Sequence, residues 1–442
     1  MIPRSTSTRR RAAGTVAAAL ALVAGLAACS SGGGAAPAAT GGGTTAPADS
    51  GPVTLQMTIW GGANDKSVME ERLALAKTAL PNITVKLNQI ADAYDTKMQT
   101  MFAGNTAPDI MQVAESVNVY SSKGQLLDLS SALPDAVKEF GQGAVNTYST
   151  DGKLWAAPDR VGAMVLYYNK DLFDAAGVAY PDGSWTWNDF RDAAKKLTVK
   201  DASGATTQWG YGAGDWWPWY MSWMYQNGGR VLDDSGKPVA NSPENVEALS
   251  FYNSMVFDDG SALSPEAYAN LGLKNGQPDP LFAQGKLAMN ATGFWNISSL
   301  KDATMKWGIA PLPKGKVAAV PAFGSGLAVT AKSAHQAAAT ELVTFLTSTQ
   351  GQTPIATSGL DVPANIEAIG SDAFQKPVWN KSGVDLSAFT DSAASVFAPP
   401  LVPQWNEIQK AFTDGMADTW NNKESVQAGL DKVQANLKQI FK

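Results

Sequence analysis

The first part of the chain alternates between two hydrophobic periods. VTLQMTIW (53–60) places apolar side chains at every second position, which is typical of a β-strand. Helical spacing follows over 67–80, and ITVKL (83–87) then predicts a second strand. A helix over about 92–103 and a third strand ending near Val113 continue the alternation. This order predicts βαβ units, and therefore an α/β fold with mostly parallel sheets.

The middle of the chain is richer in helical periods. VGAMVLYYN (161–169) is an apolar, strand-like run, but helical spacing dominates the block from about 165 to 315. GSGLAVTA (324–331) then predicts a strand that returns to the sheet, and apolar-striped helices continue to the end. The 391 residues from Pro52 to Lys442 exceed what one hydrophobic core usually supports. We therefore expect two lobes, the second of them helix-rich.

The N-terminal residues predict an export signal rather than part of a fold. Four arginines precede an Ala/Leu/Val stretch over 12–28, which at 17 residues is shorter than the roughly 20 needed to span a membrane. Leu26-Ala27-Ala28-Cys29 resembles a bacterial lipobox, so Cys29, the single cysteine, is the predicted lipidation site; the alternative is an ordinary signal cleavage beside an incidental cysteine. We predict a lipoprotein signal peptide over 1–28 and a flexible, small-residue tether over 29–51.

Charge and composition exclude several functions. Without residues 1–28 the chain has 30 basic and 40 acidic residues, a net charge of −10, which does not suit nucleic acid or anionic lipid. One histidine, His335, lies at the start of a predicted surface helix and cannot supply a catalytic triad or a histidine-rich metal site. Phosphate-binding and calcium-loop motifs are absent from the sequence, so we predict no metal and no cofactor.

Several segments, in this order along the chain, resemble the extracellular solute-binding proteins of sugar ABC importers, the family that includes maltose-binding protein. The segments are MTIWGGANDK, AGNTAPDIMQV, DGKLWAAP, LYYNKDLFDAAG, SWTWNDFRDAAKKLT, LFAQGKLAMNATGFW, APLPKG and GSGLAVTAKSAHQAAATELVTFLTSTQGQ. They cover nearly all of the predicted mature chain, and their joint order is more specific than any single motif.

The resemblance implies a periplasmic-binding-protein clamshell, in which sugar binds between two lobes that close by hinge rotation. Hinges are implied near 157–163, 318–323 and 359–363. The implied first lobe comprises 52–160 and 321–362, and the implied second lobe comprises 161–320 and 363–442. The resemblance also implies that Trp295, in ATGFWN, stacks on sugar.

Tryptophan is concentrated in GDWWPWYMSWMYQNGG (214–229), within a chain that has 14 tryptophans. A pyranose ring has apolar C–H faces and a polar rim. A protein therefore binds it with aromatic planes against the faces and directional hydrogen bonds around the rim. Because Pro218 should interrupt a helix, we predict that it displays Trp216, Trp217 and Trp219 on a loop facing the ligand. Trp223 is predicted to lie on the core face of the helix that follows.

Other candidate ligand-binding residues lie where predicted elements end. Trp60 follows the first strand, at the sheet edge where open α/β folds receive ligands. The remaining aromatic candidates are Trp155, near the first crossover, and Trp405, after a proline-rich stretch. The polar candidates are Asn64, Asp65 and Lys66 after the first strand, Glu115 and Ser116 after the third, and Asp159 and Arg160 at the first hinge. Because Asp159 and Arg160 are adjacent, they should point apart in an extended strand, so one of them is expected to touch ligand.

These observations predict a binding protein without enzymatic activity. We expect a monomeric, lipid-anchored component on the extracellular face of the cell membrane, which delivers a carbohydrate, favoured to be an oligosaccharide, to an ABC permease. Because Arg160 is positively charged, an acidic sugar is also a possible ligand class. The alternatives are a secreted glycoside hydrolase, which would need two suitably spaced carboxylates, and a carbohydrate-binding surface lipoprotein.

Overall fold

The computed structural model describes residues 51–273, 278–300, 303–380 and 383–442. The predicted signal peptide, Cys29 and all of the predicted tether except Gly51 lie outside the described residues. Within the described ranges, each helix is too short or too polar to cross a bilayer.

The strands form two main sheets and one small hairpin. Their bounds are β1 Val53–Trp60, β2 Ile83–Ile90, β3 Ile110–Val113, β4 Ser149–Thr150, β5 Lys153–Leu154, β6 Ala157–Ala163, β7 Val165–Asn169, β8 Val199–Lys200, β9 Thr206–Tyr211, β10 Leu287–Thr292, β11 Trp307–Ala310, β12 Val320–Val329, β13 Val362–Pro363 and β14 Val396–Phe397.

Helices cover both sheets and supply most of the C-terminal part. Their bounds are α1 Ala63–Ala79, α2 Tyr94–Ala103, α3 Val117–Ser121, α4 Ala136–Thr147, α5 Lys170–Ala176, α6 Trp187–Lys196, α7 Trp217–Gln226, α8 Pro243–Phe257, α9 Pro265–Asn270, α10 Asp279–Ala283, α11 Ile297–Leu300, α12 Gln336–Thr347, α13 Thr349–Ser358, α14 Ile366–Gly370, α15 Asp372–Gln375, α16 Ser387–Asp391, α17 Trp405–Met416 and α18 Val426–Ile440. Short 3-10 helices occupy Phe294–Asn296, Ser392–Ser395 and Thr419–Asn421.

The first sheet has the strand order β13-β6-β12-β3-β1-β2, with β14 beside β12. β1 is parallel to β2 and β3, as the predicted βαβ pattern requires. β12 is antiparallel to β3 and β6, because it enters the sheet from the edge at which the parallel strands end. The apolar residues of β1 that alternate in the sequence, Leu55, Met57 and Ile59, are fully buried.

The second sheet has the order β11-β7-β10-β9-β8, in which β9 and β10 are parallel and the other pairs are antiparallel. The α/β prediction is confirmed, but both sheets are mixed rather than mostly parallel. VGAMVLYYN is also not one strand. It divides at Met164 between β6 of the first sheet and β7 of the second, so a strand-like pattern conceals a crossover.

The tryptophan-rich segment 214–229 contains a helix where we predicted a loop. α7 begins at Trp217 and includes Pro218 in its first turn. Proline is tolerated there because the first helical N–H groups have no acceptor within the helix. The prediction that Pro218 displays the rings on a loop is therefore wrong for Trp217 and Trp219, whereas Trp216 lies immediately before the helix. The prediction that Trp223 belongs to the core is confirmed, since its exposed fraction is 5%.

Candidate functional site

The two sheets meet where the first one ends and the second one begins. β6 ends at Ala163 and β7 starts at Val165, which is paired with Thr292 at the end of β10. The carboxyl ends of β1, β3 and β6 therefore face the same junction as the carboxyl end of β10. Side chains that follow these strands converge there, as ligand-binding residues of open α/β sheets do.

Aromatic rings gather around Phe323 of β12 at this junction. The ring centroids of Trp295 and Phe323 are 4.8 Å apart, and the near-parallel rings of Trp216 and Phe323 are 6.5 Å apart. Trp216 is 40% exposed, so much of its surface is available to a ligand. Phe323 was not among the sequence candidates, although the predicted hinge 318–323 contains it.

A buried carboxylate determines the orientation of Trp295. Asp279 accepts hydrogen bonds from Asn290 Nδ2 at 2.8 Å, Thr292 Oγ1 at 3.3 Å and Trp295 Nε1 at 3.1 Å. Burial raises the pKa of Asp279, and these three donors oppose that effect. The indole is thus held by its N–H edge, which leaves one ring face for packing against Phe323.

Charged groups approach the same junction from β6. Arg160 pairs with Ser325 of β12 and Pro158 pairs with Gly326, so Asp159 between them has no partner on β12 and forms a β-bulge. A bulge changes the direction of side chains. Both charged side chains consequently reach α1, where Asp159 Oδ1 lies 2.5 Å from Arg72 Nη2 and Arg160 Nη1 lies 2.8 Å from Asp65 Oδ1. The expectation that these two neighbours point apart is wrong for this reason.

Gly162 lies near both the carboxylate of Asp361 and the ring of Phe323. A Cβ atom at Gly162 would lie 3.7 Å from Asp361 Oδ1 and 3.7 Å from a ring carbon of Phe323. Asp361 precedes β13 in the third predicted hinge and was also not a sequence candidate. Burial raises the pKa of Asp361 to about 7, although the charge of Arg160 opposes this. Burial likewise raises the pKa of Glu115 to about 7.

Unused hydrogen-bonding groups lie on both sides of the junction. On the second-sheet side, Asn290 Oδ1 and both side-chain polar atoms of Asn296 have no hydrogen-bond partner among the described residues. On the first-sheet side, the buried polar atoms without such a partner are Asn64 Nδ2, Gln112 Nε2, Trp155 Nε1, Arg160 Nε and Nη2, and Ser325 Oγ. Nearly all are donors, and an unsatisfied buried donor costs about 1–3 kcal/mol. A ligand rich in oxygen acceptors would satisfy them. Gln112 was missed by the sequence analysis; its Oε1 accepts the backbone N–H of Trp60 at 3.2 Å.

The other candidates lie close to their own neighbours. Trp60 is half-buried, with its ring edge-to-face on Tyr94 at 5.3 Å. Ser116 Oγ donates to Asp95 at 3.0 Å, and the exposed Lys66 lies 3.7 Å from Glu70. Their roles in ligand binding stay predictions.

Three candidate tryptophans have little exposed surface. Trp217 is 2% exposed, Trp219 is 4% exposed and Trp405 is 1% exposed. Trp217 packs edge-to-face on Trp405 with ring centroids 5.7 Å apart, and Trp219 Nε1 donates to Ala291 O at 2.8 Å. These rings stabilise the core in this structure, which contradicts their expected open display. Helical packing, rather than a loop, explains the difference.

A cavity of about 510 Å³ lies at the opposite end of α7, against Gln226 and Val320. Helix α7 has ten residues, so this cavity is about 15 Å along the helix from Trp216. The described residues lining it include no aromatic side chain. It therefore lacks a stacking surface for a sugar ring. Within the described ranges, His, Cys, Asp and Glu side chains also form no group of three that could hold a metal ion.

The structure has two α/β units joined by crossover strands, and aromatic rings and unused donors lie at their junction. These features define the class of two-lobed ligand-binding proteins. The chain belongs to the bacterial extracellular solute-binding protein family, whose family model matches residues 63–353. It is 29% identical over 342 residues to a maltooligosaccharide ABC transporter solute-binding lipoprotein of Streptococcus pneumoniae, covering 73% of this chain and 75% of the relative. A putative binding protein of Brucella abortus is 25% identical over 408 residues, covering 89% and 94%.

Solved structures agree with this family membership. An ABC substrate-binding protein of Listeria monocytogenes in complex with cycloalternan is 27% identical, with a TM-score of 0.81, covering 88% of this chain and 99% of that chain. The clamshell fold class predicted from the sequence is confirmed by this similarity. The lobe boundaries at 160, 320 and 362 stay predictions.

Proposed function

We propose that this protein captures a carbohydrate, favoured to be an oligosaccharide, at the junction of its two sheets and delivers it to an ABC permease. The observation that carries this proposal is the combination of Trp216, Trp295 and Phe323 with unused donors and carboxyl groups. Rings supply the stacking surface for C–H faces, and donors and acceptors supply the rim contacts. The named ligands of the pneumococcal and Listeria relatives support a sugar.

The proposed activity is binding alone. Asp361 and Glu115 have raised pKa values, which a glycoside hydrolase would also need in its general acid. Membership of a family of binding proteins argues against that alternative, and so does the position of Asp361 beside the backbone of a crossover strand. A closed form that presents both lobes to the permease would couple binding to transport.

The first test is a direct binding screen. Maltotriose, arabinotriose, mannotriose and cycloalternan are titrated into the protein lacking residues 1–28, with tryptophan fluorescence and calorimetry as readouts. We expect at least one to bind with a Kd of about 10 μM or tighter and to change the fluorescence, because the indoles at the junction would be desolvated. Nitrophenyl glycosides should remain uncleaved. Binding of none of the four, or turnover of a glycoside, would contradict the proposal.

We further propose that Cys29 anchors the protein to the extracellular face of the membrane through attached lipid, and that the protein acts as a monomer. Two or more acyl chains give stable attachment, whereas one gives marginal binding. Cys29→Ala should move the protein from the membrane fraction to the culture medium without changing sugar affinity. Equal membrane retention of the variant and the unmodified chain would contradict the anchor.

A further inference from the structure

We propose that Arg160 and Asp361 hold one ligand hydroxyl between them, so that the site selects neutral polyhydroxyl ligands over acidic ones. The inference rests on the proposed function and makes it more specific. It assigns a binding role to Asp361 and gives Arg160 a defined partner across the site.

Arg160 has donors that the protein itself does not use. Its side chain is 5% exposed, and Nη1 donates to Asp65 Oδ1 at 2.8 Å. Nε and Nη2 have no hydrogen-bond partner among the described residues. Nε lies 3.7 Å from Asp159 Oδ2, beyond hydrogen-bond distance, and Arg72 already binds that carboxylate. Because the guanidinium is a rigid fork, these two N–H groups point in fixed directions away from Asp65.

Asp361 has acceptor capacity that the protein does not use. Its Oδ1 accepts the backbone N–H of Val362 at 2.9 Å. Among the described contacts, Oδ2 of Asp361 accepts no hydrogen bond. The nitrogens of Arg160 are more than 4.0 Å from the carboxylate oxygens of Asp361, so the two residues form no ion pair. The two residues are nevertheless neighbours in the sheet, because Val362 and Pro363 of β13 pair with Val161 and Arg160 of β6. Burial lowers the pKa of Arg160, but the charges of Asp65, Asp159 and Asp361, with the hydrogen bond to Asp65, raise it overall.

A hydroxyl group can bridge an N–H donor and a carboxylate. It accepts from the guanidinium through a lone pair and donates its proton to the carboxylate at the same time. A ligand carboxylate has no proton to donate, and Asp65 and Asp361 would repel it. Arg160 by itself would also suit an acidic sugar. The acidic groups around it favour a neutral sugar instead.

Arg160 belongs to β6, and Asp361 immediately precedes β13, which pairs with β6. A bridging hydroxyl would therefore connect two neighbouring strands of the first sheet. Charge-assisted hydrogen bonds of this kind are shorter and stronger than neutral ones.

The proposed bridge makes binding depend on pH. Asp361 interacts electrostatically with Arg160 and Asp159 of β6, Asp65 of α1, Tyr148 after α4 and Tyr167 of β7. Glu115 also acts on Tyr148. A hydroxyl donates to the ionised carboxylate, so bound sugar stabilises the deprotonated form. Since the pKa of Asp361 is about 7 without ligand, affinity should rise between pH 6 and pH 8.

The test is a double-mutant cycle on the protein lacking residues 1–28. Asp361→Asn, Arg160→Lys and the double variant are compared by calorimetry with whichever of maltotriose, arabinotriose, mannotriose and cycloalternan binds the unmodified chain. Each single change should weaken binding about ten-fold or more, and the double change should weaken it by clearly less than the product. Asp361→Asn should also reduce the rise in affinity from pH 6 to pH 8. Asp372→Asn, an 85% exposed carboxylate, is the matched control.

The outcomes separate this inference from the proposed function. If none of the four sugars binds the unmodified chain, both are overturned. If a sugar binds and Asp361→Asn binds it equally well, or the two changes multiply independently, only the hydroxyl bridge is overturned. Thermal melts identify a variant that fails to fold. In that case the affinity of Asp361→Ala and the pH dependence of binding by the unmodified chain test the bridge instead. An affinity that does not change with pH overturns it.

Discussion

Replacing Trp295 with alanine is expected to weaken sugar binding about 100-fold or more while changing the melting temperature little. Stacking of an aromatic ring contributes about 0.5–1.5 kcal/mol beyond the apolar area that it buries, and burial of a large side chain adds about 1.5–3 kcal/mol. A combined loss of about 3 kcal/mol corresponds to about 100-fold in affinity. Calorimetry with the sugar found in the screen provides the measurement.

Trp223→Ala is the matched control for this change. Trp223 is 5% exposed and packs against Trp187 with ring centroids 5.1 Å apart, so its removal should lower stability while the folded fraction keeps its affinity. Unchanged affinity in Trp295→Ala would remove the residue on which the stacking surface most depends. A large drop in melting temperature would instead show that Trp295 is mainly a core residue.

Asp159→Ala is expected to give the largest loss of stability, about 3–5 kcal/mol in the free energy of unfolding. Both members of the Arg72–Asp159 ion pair have side chains that are 0% exposed. Arg72 also donates to the carbonyl groups of Leu346 and Gly351, and these hydrogen bonds do not neutralise its charge. Removal of the carboxylate therefore leaves a buried cation without a counter-charge.

Chemical denaturation measures this effect as a shift in the unfolding midpoint. Asp414→Ala is the control, because Asp414 pairs with Lys410 at 2.6 Å but both side chains are more than half exposed. Exposed pairs contribute about 0–1 kcal/mol, so the control midpoint should hardly move. Equal midpoints for Asp159→Ala and the unmodified chain would show that solvent reaches Arg72.

Local patterns were sufficient to predict the βαβ start of the chain. The alternation in residues 53–60 appears as β1, and the predicted helix and strand after it appear as α1 and β2, with shifted ends. The hydrophobic period of each of these elements can be recognised within a few residues. The same reasoning failed for segment 214–229, because the effect of Pro218 depends on whether it lies in the first turn of a helix or further in.

Long-range contacts explain what the sequence did not reveal about the site. The bulge at Asp159 exists because β12, which starts at Val320, pairs with β6 in a shifted register. Phe323 and Asp361 lie inside segments that were predicted as hinges. A hinge prediction concerns the backbone and says nothing about side-chain chemistry. Their proximity follows from the way in which β12 and β13 flank β6. A single sequence shows none of these pairings.

The two ion pairs that attach β6 to α1 have a mechanical consequence. They immobilise the strand as far as Arg160, and Gly324 packs so closely on the Arg160 carbonyl that a Cβ atom there would lie 2.2 Å from the oxygen. β6 stays paired with β12 as far as Ala163, so any rotation at this crossover is left to the backbone around Met164, between β6 and β7. So short a connection would limit how far one sheet can rotate relative to the other.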